Sequence, residues 1–537
     1  MARPAAALSD LRAVATKCQA LVVSFSNEQA AHDLTITDEL RAIFQRPAST
    51  SSAVAGPAAQ SLLELISVVP AELLSIILSQ LGTRDLACLA ATCRSLWYGV
   101  PNPPSPLLTP GLMETELRRR AEARGLHIGA SLPEGTLSWV PYLLKHNSYE
   151  ALRREAPLAV GDMHSLFVDR EGRLHLACLR VEIKEVAVGE PLLGHDWGSD
   201  AGASAPPTLV PSMQDKRIVS VASCKCHCLA LSAEGEVYSW GDSTHGALGH
   251  ADRSARAGRL SWIETLEGVE SISVGPFTSA AVDDRGRLFT WGPPRRPVNG
   301  LGYELDPETR CQLTPKRVDA LLQDRVVGVS LGDGFTLAVT DAGAVFSFGY
   351  NFFGALGHGS QESEVLPRRI EALAQTGRRF VAVAAGDYHA LALTDEGEVY
   401  GWGHMDANGH WKELCTPQRL AALAGGRVKL VNARGRSSCA VTENGELYTW
   451  GAAFNNLQLG HEVGGYHRMP KRVEALRHVK VATAAICDTH TLVADKDGLV
   501  WGFGMRAALN LGDVNPPRRT AFSQPTPIPT LRVRTPP

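Results

Sequence analysis

The stretch FVAVAAGDYHALALTDEGEVYGWG, residues 380–403, holds two apolar, alternating runs, HALALT and EVYGWG, on either side of the polar turn DEG. Alternation of period two marks strands with one buried face, and a glycine closing the turn accepts the positive φ that a tight hairpin needs. The preceding run FVAVAAG supplies a further strand. A unit this small cannot bury both of its faces, so the rest of the chain must supply its neighbours.

It does so by repetition. The turn glycine of this unit, Gly397, has counterparts at Gly172, Gly235, Gly286, Gly343, Gly445 and Gly498. An aromatic–glycine step follows each hairpin at Trp240, Trp291, Phe348, Trp402, Trp450 and Trp501, while the first unit has Ala177 and Cys178 there. A loop then ends in a second glycine signature, LGH at 193–195, 248–250, 356–358 and 459–461, with LGY, NGH and LGD as variants at 301–303, 408–410 and 511–513. Last comes a short extended stretch opened by proline, such as PKRV from Pro315, PRRI from Pro367 and PKRV from Pro470.

Four strands per unit and seven units predict a mainly β fold, a seven-bladed β-propeller of four-stranded blades spanning residues 151–537. Such a ring must close. Unit one lacks a clear proline strand ahead of residue 158, so the C-terminal PTPIPTLRV, 525–533, is expected to complete the first blade.

The repeat also disposes of its most chemical-looking segment, CKCHC at 224–228. Aligned with GDYHA at 386–390, Cys224, Cys226 and Cys228 become substitutions in the approach to a strand. Alternate residues there stand about 7 Å apart, too far for thiolates sharing one zinc. No metal site and no cofactor is expected. His164, His227, His389 and His490 share one position, occupied elsewhere by Thr278, Phe335 and Ser437. Recurrence around a ring argues for a structural hydrogen bond between strands rather than a catalytic base.

This repeat, with its NxxGxLGHG loop and its proline–basic–basic–aliphatic strand, resembles the regulator-of-chromosome-condensation repeat family from about residue 151 to 533. The resemblance implies a seven-bladed propeller, and it brings guanine-nucleotide exchange on a Ran-like small GTPase into consideration. Neither the wedge nor the matched contact surface which that activity needs can be placed on these units.

Ahead of the propeller, residues 1–60 include the Pro/Ala/Ser-rich linker RPASTSSAVAGPAAQ, and 111–150 read as a helical connector. The three arginines 118–120 fit a solvated helix face. Between them, residues 61–110 contain VVPAELLSIILSQLGTRDLACLAATCRSLW. Pro70 suits a helix first turn, Leu73, Leu74, Ile77 and Leu81 recur at helical spacing, and Leu86, Leu89, Leu96 and Trp97 do so in a second helix after Gly82. The string resembles the F-box, and the resemblance implies that these nine residues contact a Skp-type adaptor of a cullin ligase. Helix-in-groove docking needs anchors at such spacing.

The chain has 537 residues, a formal charge of −3, 50 glycines and 11 cysteines. The charge, without a long basic tail, argues against nucleic acid, and no apolar run is long enough to span a membrane. An odd, scattered cysteine set fits reduced thiols, hence a soluble intracellular protein of the cytoplasm or nucleus. No phosphate loop, zinc-protease motif or nucleophile constellation is present. The expected function is therefore non-catalytic: a substrate receptor of an SCF-type ubiquitin ligase, with a client protein held by the loops 242–250, 351–358 and 455–461. The alternatives are exchange on a small GTPase and a propeller interaction scaffold.

Overall fold

The computed structural model describes residues 156–535 except 163, 179–206, 243–245, 252–259, 295, 309–310, 453–456, 462–465 and 505–521. The nine expected adaptor contacts from Pro70 to Trp97 lie outside these residues. The described residues form seven four-stranded antiparallel sheets, each in chain order from an inner strand A to an outer strand D. In blade five these are Phe380–Ala385, His389–Thr394, Val399–Gly403 and Leu414–Arg419.

Why each hairpin forms here is visible at its turn. All seven turn glycines have positive φ, from 75° to 84°. Three residues before each stands Asp169, Ser232, Asp283, Thr340, Thr394, Thr442 or Asp495, whose side-chain oxygen accepts the N–H four residues on, as Thr394 does from Glu398 at 3.0 Å. That short polar residue satisfies a donor the tight turn would otherwise strand. At Gly397 an added Cβ would lie 2.9 Å from the backbone nitrogen of Val428 in the next blade. Gly397→Ala is expected to cost about 1–2 kcal/mol from the left-handed backbone alone, more if blade six must shift. Urea unfolding reads that loss directly.

The core lies between blades rather than within them. Seven clusters of buried side chains occupy the seven blade interfaces. Trp240, Trp291, Trp402 and Trp450 are fully buried there, as are Phe348 and Phe503. Three of the indoles also tie their blade to the loop of the preceding one: Trp291 Nε1 donates to Ala247 O at 2.8 Å, Trp402 to Ala355 O at 2.7 Å and Trp450 to Ala407 O at 2.8 Å.

Two sequence expectations need correction. Trp501 is not the counterpart of Trp402. The strand register pairs Ala390 with Trp402 but Thr491 with Phe503, so Phe503 fills the frame position and Trp501 stands two residues earlier, partly exposed. The segment LVWGFG contains two aromatic–glycine steps on the same strand face, and burial selects the second.

Ring closure also differs. Blade one has its own outer strand, Thr208–Leu209, and the C-terminal strand Phe522–Arg532 is the outer strand of blade seven. Only the end of the expected segment reaches blade one, where Val533 bridges to Asp169 and Arg534 N–H donates to Val168 O at 3.1 Å. Val533 thereby takes the first position of blade one's inner strand, the rest of which is Leu158–Val160. The stretch is long enough to finish one blade and begin the next, and its prolines lack the N–H that further pairing would need.

Candidate interaction surface

The cysteine and histidine cluster sits at the A–B turns around the axis. His227 Nε2 lies 2.7 Å from Ser279 Oγ in the next blade, and Ser279 spends its own proton on Ala247 O at 2.8 Å. The imidazole must therefore donate from Nε2, and its Nδ1 faces the Cys224 sulfur at 3.2 Å. His389 repeats this with Ser438 at 2.7 Å, and His490 with Ser165 at 2.8 Å. His164 meets Cys228 Sγ at 3.2 Å in blade two. These bonds join strands of neighbouring blades. Burial holds the imidazoles of His164, His389 and His490 at about 3, so they are neutral near pH 7 and poor general bases. Cys224 and Cys228 go to different histidines, and Cys226 has a thiol pushed up to about 12 by burial. Among the described residues no group of three metal-ligating side chains assembles.

Around this core the turns form a belt. Asp387 N–H donates to Gly435 O at 2.8 Å, Arg436 N–H to Asp488 Oδ1 at 2.7 Å, and Thr489 Oγ1 to Asp162 O at 2.8 Å. Arg434, at the end of blade six's inner strand Val428–Arg434, reaches Val274 O of blade three at 2.9 Å. It braces blades that stand well apart around the ring.

The expected client loops turn largely inward where they are described. Leu248, Leu356 and Leu459 are buried against the next blade, and the loop histidines are tied down, His250 to Ser239 at 2.7 Å and His358 to Ser347 at 3.0 Å. What projects is aromatic, and part of it, Phe352 with Phe353 beside it, belongs to the expected loop 351–358. Phe352 is 43% exposed, Trp411 67% and Tyr466 68%. Phe352 stacks on Tyr350 with ring centroids 5.7 Å apart, and Phe353 contacts Phe352 at 4.1 Å and His404 at 4.3 Å. Arg296, from the blade-three loop, places its guanidinium 5.5 Å from the Tyr350 ring and 5.6 Å from that of Tyr388 while pairing with Asp333. Phe353 holds φ at +57°, an unusual conformation for a bulky residue and one that fixes its ring in this cluster. Trp411 donates from Nε1 to Met469 Sδ at 2.8 Å in blade six.

At least one member of each recurring basic pair on the outer strands is engaged within its own blade. Arg317 pairs with Asp319 at 2.6 Å, Arg368 with Glu364 at 2.6 Å and Arg472 with Glu446 at 3.1 Å, while Lys316 lies 4.3 Å over the Tyr303 ring. With a proline in each of these strands, the charges fit edge protection.

Comparison with known proteins agrees with this architecture. A family model described as the RCC1-like domain matches residues 187–535. The human E3 ubiquitin-protein ligase HERC2 is 37% identical over 296 residues, covering 53% of this chain and 6% of HERC2. The ultraviolet-B receptor UVR8 of Arabidopsis thaliana is 34% identical over 214 residues, covering 39% of this chain and 46% of UVR8. The chain thus spans less than half the length of either relative. Among solved structures, Prp20p of Saccharomyces cerevisiae, described with its binding to Gsp1p and histones, superposes with a TM-score of 0.54 at 21% identity, covering 71% of this chain and 89% of that one. At that identity the likeness speaks for the fold alone. With seven blades of the same strand order and a family match over most of its length, this chain belongs to the RCC1-like domain family.

Proposed function

We propose that the chain is a non-catalytic substrate receptor of a cullin-based, SCF-type ubiquitin ligase. Its segment 61–110 docks on a Skp-type adaptor through Pro70, Leu73, Leu74, Ile77, Leu81, Leu86, Leu89, Leu96 and Trp97, and its propeller holds a client protein. The observation that carries this reading is the exposed aromatic cluster around Phe352 on a rigid ring, in the same chain as an F-box-like string. Loops on such a scaffold suit recognition, because they can vary without disturbing the core. The histidines that might have served chemistry are buried and committed to neighbouring blades. Transfer of ubiquitin then belongs to partner subunits, and the receptor contributes proximity.

Co-purification of the full chain with the adaptor tests this. Wild type recovers the adaptor, and the double change Leu73→Asp and Ile77→Asp reduces recovery by about a hundredfold, because two apolar anchors become carboxylates in a dry groove. Failure of the wild-type chain to recover the adaptor would sink the reading. On the same reading the chain leaves nucleotide release from a Ran-like GTPase unchanged. Acceleration of that release would favour exchange activity instead.

A further inference from the structure

We propose that the side of this face formed by blades three to five docks a protein segment in which lysine or arginine neighbours a large apolar side chain. The inference rests on the client-receptor reading and adds the chemistry of what is received.

The apolar half of the match is the cluster of Tyr350, Phe352, Phe353 and Tyr388. Its rings come from two blades, are braced by Arg296, and present Phe352 43% exposed. Rigid aromatic surface of this kind loses little entropy on binding and commonly supplies the anchor of an interface.

The charged half is one-sided. Residues 293–308, 350–363 and 404–413, with the turns 333–334 and 387–388, carry eight Asp or Glu against three Lys or Arg, and a fourth cation, Arg468, pairs with Asp406 at 3.4 Å. Four minus eight leaves −4 on this sector, although the entire chain sums to only −3. Glu362 and Glu413 are exposed, and Gln361 Nε2 donates to Glu413 Oε1 at 2.9 Å, linking the loops of blades four and five beside Phe352. Nearer the axis, Asp387 of blade five faces Asp488 of blade seven, whose carboxyl is raised to about 7 chiefly by burial and held down in part by Arg436, while Asp162 has Lys225 at 3.9 Å. A cation brought beside the exposed Glu362 and Glu413 is attracted, whereas an acidic segment or nucleic acid is repelled. The surface already holds one arginine in this manner, since Arg296 lies between the Tyr350 and Tyr388 rings with Asp333 as its carboxylate. A partner's arginine over Phe352 would use the same chemistry.

The test is selection of a random-peptide phage library on the immobilised full chain, followed by fluorescence anisotropy of the enriched peptides with wild type and variants. Enriched sequences should pair Lys or Arg with Trp, Phe or Leu, and Phe352→Ala should weaken them by at least about tenfold. Raising salt from about 0.05 to 0.3 M should weaken them several-fold. If Phe352→Ala lowers the melting temperature, the pair Glu362→Lys and Glu413→Lys decides, since both residues are exposed and charge reversal should again cost about tenfold. No enrichment, enrichment of acidic peptides, or binding indifferent to these changes would overturn the proposal. Adaptor recovery does not depend on Phe352, so the docking chemistry and the adaptor reading can fail separately.

Discussion

Acidification from about pH 8 to pH 5 is expected to remove roughly 5 kcal/mol of stability from the propeller. His164, His389 and His490 are held at about 3, and His461 at about 4, all chiefly by burial. Unfolded, each returns to its ordinary value of 6.5. Between these limits the unfolded chain binds more protons than the folded one, so stability is present above about pH 6.5 and is lost as pH falls through the window. At pH 5 the loss is about 2 kcal/mol for each imidazole. Asp488 works in the opposite direction. Its folded pKa of about 7 lies above the ordinary 3.8, so its protonation on acidification returns roughly 3 kcal/mol. The net loss is a large share of a typical stability of about 5–15 kcal/mol. Urea unfolding at a series of pH values measures it. His389→Gln should flatten the slope by about 2 kcal/mol between pH 8 and 5. A wild-type profile that is level across that range would mean the histidines are not locked neutral between blades.

Replacing Trp402 with alanine is expected to cost about 3–5 kcal/mol, whereas the same change at Trp501 should cost about 1 kcal/mol. Trp402 is fully buried at the interface of blades four and five, beside Leu356 and Leu414, and its removal leaves both a cavity and an unanswered Ala355 carbonyl. The loop so released carries Phe352, so client binding should weaken together with stability. Trp501 is partly exposed, and the frame position of its blade belongs to Phe503, where alanine should cost as much as at Trp402. Thermal unfolding of the three variants separates these roles. Equal costs at Trp402 and Trp501 would return Trp501 to the frame.

The contrast shows where sequence periodicity suffices and where it does not. The turn glycines stand out because positive φ excludes most other residues, and seven copies at similar spacing leave little doubt about the blade. The assignment of Trp501 to the frame fails because strand period two makes a shift by two residues invisible to patterning, and only the register places Phe503 there. The bridge from Val533 to Asp169 joins positions at opposite ends of the propeller's sequence, and no local pattern marks it. Some signals were available but easily overlooked. The Asp, Ser or Thr three residues before each turn glycine recurs in all seven blades. A leucine also follows the outer-strand proline by six residues at Leu321, Leu373, Leu423 and Leu476, where it buries the connector to the next blade.

The interaction surface was the least legible part. The loops expected to meet a client end in Leu-Gly-His, and those residues pack inward because leucine and glycine fit closely beneath the next blade's frame ring, Trp291, Trp402 or Phe503. Phe352 and Phe353 do lie in the expected loop 351–358, but their neighbours Arg296, Tyr388 and His404 come from the blades on either side. Only the packing of consecutive blades brings them together. The brace from Arg434 to Val274, across 160 residues, is likewise unmarked in the local sequence.

The proposed function has one chain join two docking partners and leave ubiquitin transfer to other subunits. Gel filtration of the full chain with the Skp-type adaptor and a labelled, selected peptide tests it most directly. A single peak containing all three is expected, with the adaptor lost on changing Leu73 and Ile77 to Asp, and the peptide lost on changing Phe352 to Ala, each without the other. A peak lacking the adaptor, or peptide and adaptor excluding each other, would contradict it.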